Sequence, residues 1–232
     1  MLCLIADITT SVPAGGGMAP LCRDYLTVGN EEEAEIVIDE EQYRPDRWPG
    51  LDAETSVYME SGRQFYFCLP DFGGMMLHAS ATVIEGETYL FAGMSGIGKS
   101  THAELLIKNH PGALLINDDK PALRLLDGRW MVYGTPWCGK DYINLNAKYP
   151  LKAICFLSKR RDRNEIRVAD PMEALAGLIF CSGGQGSKKV MQKLAPLISR
   201  LMDDVPIYEM DSLADDNAAQ MAYNAMKYGL KP

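Results

Sequence analysis

No two cysteines in this 232-residue chain stand at C-x-x-C spacing, and no histidine lies near one at metal-ligand distance. A structural zinc site is thereby excluded. Cys3, Cys22, Cys68, Cys138, Cys155 and Cys181 are instead expected to be small buried apolar residues, reduced in the cytosol. No apolar run approaches membrane-spanning length. The opening Met1-Leu2-Cys3-Leu4-Ile5-Ala6-Asp7 has no basic residue and meets an acid too soon for a secretory signal. The expectation is a cytoplasmic protein with no membrane partner. Positive charge is also in deficit, with 23 Lys and Arg against 31 Asp and Glu, a net −8. That balance argues against a nucleic-acid partner. Internal repeats and low-complexity tracts are missing too.

What the chain does have is Ala92-Gly93-Met94-Ser95-Gly96-Ile97-Gly98-Lys99-Ser100-Thr101, a match to G-x-x-x-x-G-K-[ST]. Glycines at 93, 96 and 98 remove the Cβ atoms that would stop the backbone curling round an anion, so successive N–H groups can point inward. Lys99 adds a point charge, and the Ser100 hydroxyl suits the shell of a hard cation such as Mg²⁺. Thr88 to Ala92 reads as a strand entering this loop and His102 to Lys108 as a helix leaving it. A helix N-terminus would then lie under bound phosphates. The candidate nucleotide-binding set is Gly93, Ser95, Gly96, Ile97, Gly98, Lys99, Ser100 and Thr101.

Residues 1–75 have a different texture. Short apolar runs (Leu2 to Ile5, Ile36 to Ile38, Gln64 to Leu69) alternate with Gly15-Gly16-Gly17, Glu31-Glu32-Glu33 and Arg44 to Gly50. The expectation is a β-rich N-terminal segment packed on a domain spanning 76–232, with Glu31 to Glu33 a solvated loop. From Met76 to Ile84 and from Thr88 to Ala92, two strands joined by Glu85-Gly86-Glu87 predict a hairpin. Antiparallel pairing would set His78 beside Gly93. His78 is then either a satisfied core residue or a side chain with phosphate chemistry within reach.

Ala113 to Asn117 predicts a strand ending on Asp118-Asp119, where two adjacent acids point to opposite sides and can divide metal binding from nucleophile activation. An exposed turn pair is the other reading. Next comes a predicted hairpin, Pro121 to Leu126 and Trp130 to Tyr133 around Asp127-Gly128, where a doubly wound fold would cross over through a helix. A mixed sheet follows. Gly134 to Lys140 is either a rigid wall for a ligand or a corner packed on Trp137. Lys159 to Asn164 is a basic turn, solvated unless an arginine such as Arg160, Arg161 or Arg163 stabilises charge in a reaction. Strands are expected at Leu151 to Ser158, Glu165 to Val168 and Pro206 to Met210. Helices are expected from Pro171, from Lys188 and from Asp216, with Gly183 to Ser187 a hinge.

The order His78-Ala79-Ser80, the glycine loop, then Asp118-Asp119 and a hairpin resembles the catalytic domain of HPr kinase/phosphorylase and its shorter relatives. These form a branch of the phosphoenolpyruvate-carboxykinase-like phosphate-loop fold, and the resemblance covers about residues 76 to 160. It implies a mixed-sheet α/β P-loop fold and ATP- and Mg²⁺-dependent phosphorylation of a hydroxyl on a peptide, protein or small molecule. By that resemblance Asp118 is the base, Asp119 with Ser100 organises Mg²⁺, and His78 and Lys99 complete the catalytic group. A possible homo-oligomer is also kept open. Thr101 and the Tyr133 to Lys140 segment depart from the HPr kinase pattern, which leaves the acceptor open. Phosphoryl transfer of this type needs no covalent step, so Cys138 is not read as a nucleophile. A nucleotide-binding sensor or assembly module, a kinase of free serine, and a carboxykinase-like enzyme are the alternatives.

Overall fold

The computed structural model describes residues 1–15, 17–39, 43, 47–158, 163–183 and 187–230. The chain opens with β1 (Leu2–Ile5), β2 (Ile8–Ser11), α1 (Met18–Cys22) and β3 (Ile36–Val37), then α2 (Ala53–Cys68). There follow β4 (Gly74–Met76), β5 (Ala79–Ile84), β6 (Glu87–Ala92), α3 (Lys99–Asn109) and β7 (Leu114–Asn117). The remainder is β8 (Ala122–Leu126), β9 (Arg129–Tyr133), β10 (Lys148–Ser158), β11 (Glu165–Val168), α4 (Pro171–Cys181), α5 (Lys188–Asp204), β12 (Ile207–Asp211) and α6 (Asp216–Tyr228). This is a mixed α/β fold. Arg160, Arg161 and most of the 183–187 hinge fall outside the described residues.

The main sheet runs β4-β8-β9-β10-β6-β5-β7, with β12 and then β11 added beside β10. Strand β10 joins two kinds of pairing. Lys148 to Pro150 pairs antiparallel with β9, whereas Leu151 to Phe156 pairs parallel with β6 and Ile154 to Ser158 parallel with β12. Both expected hairpins form. Glu85 and Gly86 turn the first with φ of 53° and 79°, and Asp127 and Gly128 turn the second with 49° and 77°, the left-handed pairs that match strand twist.

Period-two alternation sorts the strand side chains between two helical layers. Leu90 and Ala92 of β6 join α4 and α5 on one face; Tyr89 and Phe91 join α3 and α6 on the other. Helix α5 presents Val190, Leu194, Ile198 and Leu201, and α6 uses Ala218, Ala219, Ala222 and Ala225 for close approach. Their starts are capped by the side chains of Ser187 and Asp215, and that of α4 by Asp170 ahead of Pro171.

The N-terminal segment corrects the β-rich expectation. Its longest element is α2, and Gln64 to Cys68, read as part of a strand run, forms that helix's last turn. Asp52 caps it by accepting from the Thr55 N–H at 2.7 Å. The helix was masked because its buried face is largely polar: Glu60, Ser61, Gly62 and Gln64 accompany Phe65 and Tyr66. Each polar group has a specific partner. Glu60 takes Arg63 and Trp48, and Gln64 trades two hydrogen bonds with the backbone of Asp39 at 2.9 and 3.0 Å. One apolar cluster unites this segment with Met76, Ala122 and Tyr133 of the main sheet and with Trp137 in the loop after β9, and the boundary expected at 75/76 lies inside β4.

Candidate active site

Strands β6 and β7 run in the same direction, separated by β5, which is antiparallel to both. Their carboxyl ends and the start of β5 therefore share one sheet edge. In the β5–β6 register Ala79 faces Ala92, so His78 stands next to Gly93, as the hairpin predicted. Open sheets of this kind offer ligand sites at such strand ends.

From β6 the chain turns through Gly93, Gly96 and Gly98 with φ of 142°, 75° and 112°, which side chains rarely tolerate. A Cβ on Gly93 would also lie 3.1 Å from the Leu157 carbonyl. Gly98 caps α3 without any side-chain bond. Among the described residues no group accepts from the N–H groups of Lys99, Ser100 and Thr101, so the helix start keeps its donors. Ser95, Gly96 and Thr101 are exposed, while Ile97 turns back onto Gly93. Lys99 is buried and donates to the Gly93 and Met94 carbonyls, both at 3.1 Å. Burial lowers its proton affinity, and the charges of Asp119 and Asp118 oppose that shift.

The two acids sit on a turn fastened from below. Asn117, fully buried at the end of β7, accepts from the N–H groups of Asp119 and Lys120 at 3.0 and 2.7 Å and donates to the Thr135 carbonyl at 3.1 Å. Thr135 and Tyr66 both donate to the Lys120 carbonyl. The Ser80 hydroxyl donates to Asp118. Burial raises the Asp118 pKa, against the pull of the Ser80 and Ser100 hydroxyls. Asp119 has other partners. It pairs with His78 Nε2 at 3.0 Å and with Lys120 Nζ at 2.8 Å. Burial would raise its pKa, but the His78 hydrogen bond and the Lys120 charge outweigh it and bring the carboxyl to about 2.

The two acids differ in partners: Ser80 holds Asp118, whereas His78 and Lys120 hold Asp119. The resemblance paired Ser100 with Asp119; here Ser100 is one of the groups that pull the Asp118 pKa down. Sequence reasoning also missed Ser80, Asn117, Lys120 and Thr135. Only Asn117 carried a local signal, since asparagine before two acids suits a turn bonded to its own following amides.

His102, three residues beyond Lys99, was missed as well. It is fully buried, with Nδ1 2.8 Å from the Gly98 carbonyl and Nε2 2.9 Å from the Ser212 hydroxyl. Ser212 in turn accepts from the Ala214 N–H at 2.8 Å, so its own proton goes to Nε2 and Nδ1–H donates to Gly98. The ring is a neutral strut behind the loop, and burial lowers its proton affinity.

The Gly134 to Lys140 segment splits between its two readings. Trp137 is a packed corner, fully buried, stacked on Phe65 at 4.9 Å and donating to Ser61 at 3.1 Å. Gly139 and Lys140 instead wall a cleft of about 1020 Å³ bounded across from them by α2 and floored by Asp119 and Lys120. A Cβ on Gly139 would lie 3.0 Å from that of Asp119, so the loop's close approach to the acid depends on glycine.

For a cation the fit is partial and informative. No group of three or more His, Cys, Asp or Glu among the described residues is arranged to hold a metal by protein ligands alone. Ser100 and Asp118, which interact electrostatically, offer the oxygen type suited to Mg²⁺, which takes few protein oxygens and fills its shell with phosphate and water. Among the described residues no helix is long and apolar enough to cross a membrane.

No family model matches this chain, and no curated protein does. Among solved structures it is similar to the Hpr(Ser) kinase/phosphatase from Coxiella burnetii, at 13% identity and a TM-score of 0.35. The match covers 64% of this chain and 91% of that one. The relation is a distant structural one, and the functional reading stands on this chain's own residues.

Proposed function

We propose that this chain is an ATP- and Mg²⁺-dependent kinase that moves a γ-phosphoryl group to a hydroxyl acceptor. The observation that carries the reading is the convergence at one sheet edge of three glycines in left-handed conformations, an uncapped helix start, Lys99 and two carboxylates whose charges both act on it. Gly93, Ser95, Gly96, Ile97, Gly98, Ser100 and Thr101 would present amides and hydroxyls to the triphosphate. Lys99 would leave the Gly93 and Met94 carbonyls to balance β/γ charge.

For the acids our reading takes the reverse of the order implied by the resemblance. Asp118, whose pKa the Ser100 hydroxyl helps hold down, is the carboxylate that would hold Mg²⁺ with it, the ion supplying charge neutralisation at the phosphates. Asp119, lining the cleft and held by His78, is the one that would orient an acceptor hydroxyl and take its proton. Its low pKa is compatible with that role, because a loose phosphoryl-transfer transition state asks for positioning more than basicity. Labelled ATP with varied Mg²⁺ tests the order. Asp118→Asn is expected to raise the Mg²⁺ needed for tight nucleotide binding, and Asp119→Asn to lose transfer with nucleotide binding intact. The opposite pattern would restore Asp118 as base; absence of nucleotide binding by the unaltered protein would end the kinase reading.

A further inference from the structure

The sheet edge that carries the glycine loop continues past it on the side away from the acids. Strands β6, β10 and β12 are parallel neighbours, Ala92 beside Phe156 and Ser158 beside Asp211, so their carboxyl ends lie in a row. On one flank of the loop stand His78, Asp118 and Asp119, around β5 and β7; on the other is the turn of residues 212–215 that follows β12. This turn touches the loop, for the Ala214 Cβ lies 3.5 Å from where a Cβ on Gly98 would stand. Ala214 holds φ of 56°, a costly conformation for a residue with a side chain. Specific bonds keep it there. The Ser212 hydroxyl accepts from the Ala214 N–H at 2.8 Å, and the Ser212 N–H donates to the Ser158 carbonyl at 3.0 Å. Asn164 accepts from the Leu213 N–H at 2.7 Å and donates to Asp215 at 2.9 Å. What the fastened turn shows to solvent is apolar: Leu213 is 45% exposed, and Met94, early in the glycine loop, is 63% exposed. Backbone strain that its surroundings over-determine in this way clusters at ligand contacts.

Resting on the kinase reading above, we propose that Leu213 and Ala214, with Met94, seat the purine base of the nucleotide. Direction follows from the acids. A triphosphate whose γ end lies at Asp118 and Asp119 leaves the loop with its nucleoside toward the opposite flank, where β10 and β12 end. Charge agrees. Among the described residues the charged side chains at this flank are already paired: Asp216 with Lys108 at 3.2 Å, Arg163 with Glu165 at 2.9 Å, and Asp215 with the Asn164 amide. Lys159 to Asp162 lie outside the described residues. The described surface therefore suits an uncharged ring rather than a phosphate. Hydrogen bonding sets the breadth of selection. The polar side chains that fasten the turn are engaged within it, Ser212 on His102 and Ala214, Asn164 on Leu213 and Asp215. Discrimination then rests on buried ring area, which favours purines over pyrimidines and barely separates adenine from guanine.

The test measures equilibrium binding to the full chain, with Mg²⁺, of ATP, GTP, CTP, UTP and inorganic tripolyphosphate, which carries the phosphates without a base. ATP and GTP should bind within about threefold of each other and each roughly tenfold more tightly than tripolyphosphate, with CTP and UTP between. Leu213→Ser should remove most of that advantage for ATP while leaving the tripolyphosphate Kd within about twofold. Met94→Ser should weaken ATP in the same sense. Leu213 is exposed, so thermal unfolding checks that its variant folds. Photolysis of bound 8-azido-ATP, followed by peptide mapping, should place the label on Met94 or on residues 212–215. ATP no tighter than tripolyphosphate, a Leu213→Ser loss shared equally by tripolyphosphate, or label mapping to the α2 cleft would each overturn the proposal. Failure of both ATP and tripolyphosphate to bind is read separately and would strike the kinase reading itself.

Discussion

The edge carrying Gly93 to Ser100 and the wall facing it across Asp119 are built in opposite ways. The edge is local: a hairpin, three glycines and a helix start, all within about two dozen consecutive residues, with pairings set by turn chemistry. The wall is assembled from afar. Helix α2 meets the 134–140 segment through Trp137, Ser61 and Phe65, partners more than seventy residues apart. Local construction lets a loop keep its donors exposed for a ligand. Long-range construction lets polar groups be buried, provided each finds a partner.

Five substitutions would break or sharpen that contrast. Lys99→Ala strikes the edge and, on the proposed kinase reading, should lower phosphate transfer by on the order of 10³-fold, because the charge would serve the transition state. The thermal midpoint should hold, since the ammonium sits in a costly buried setting; equal transfer rates would remove Lys99 from the chemistry. Trp137→Ala strikes the wall. Loss of a fully buried indole should cost about 3–5 kcal/mol in denaturant unfolding. If nucleotide binding vanished with it at temperatures where the protein stays folded, the two regions would not be separable.

The third comparison sets the adjacent acids against each other by stability. The folded pKa of Asp119 is depressed from 3.8 to about 2, so its contribution is present above pH 3.8 and lost as pH falls toward 2. Asp119→Asn should therefore cost about 2 kcal/mol at neutral pH. Asp118 has the opposite sign. Its raised pKa means that ionisation opposes folding, with stability greatest below 3.8 and lost as pH rises through the folded value. Asp118→Asn should raise the thermal midpoint at pH 7, and a drop would show that its bonds with Ser80 and Ser100 outweigh burial. Ser212→Ala, which removes the donor to His102 Nε2, should cost about 1 kcal/mol, the smallest of these effects. It should also weaken nucleotide binding modestly through Gly98. An unchanged nucleotide Kd would make His102 a packing residue only.

Most strands after residue 76 were legible, because alternating apolar residues between glycine turns have one sensible register. His78 beside Gly93 followed from that register alone. Helix α2 was not legible. A helix signals itself by an apolar stripe, and here Glu60, Ser61 and Gln64 occupy the stripe while Gly62 clears space for Trp137, 2.8 Å from where a Cβ would stand. The acids were legible as a pair, but their partners were not, since Ser80 reaches Asp118 from β5 and His78 reaches Asp119 from just before it.

Sequence alone determined the glycine turn, the hairpin before it and the paired acids after it, because glycine placement and strand alternation act over a few neighbouring residues. Tertiary structure alone decided which acid meets Ser80, which meets His78, and that α2 walls a cleft over Asp119. Those outcomes depend on where buried polar groups find partners across the chain. Desolvation penalises any that do not, and no local pattern records the choice.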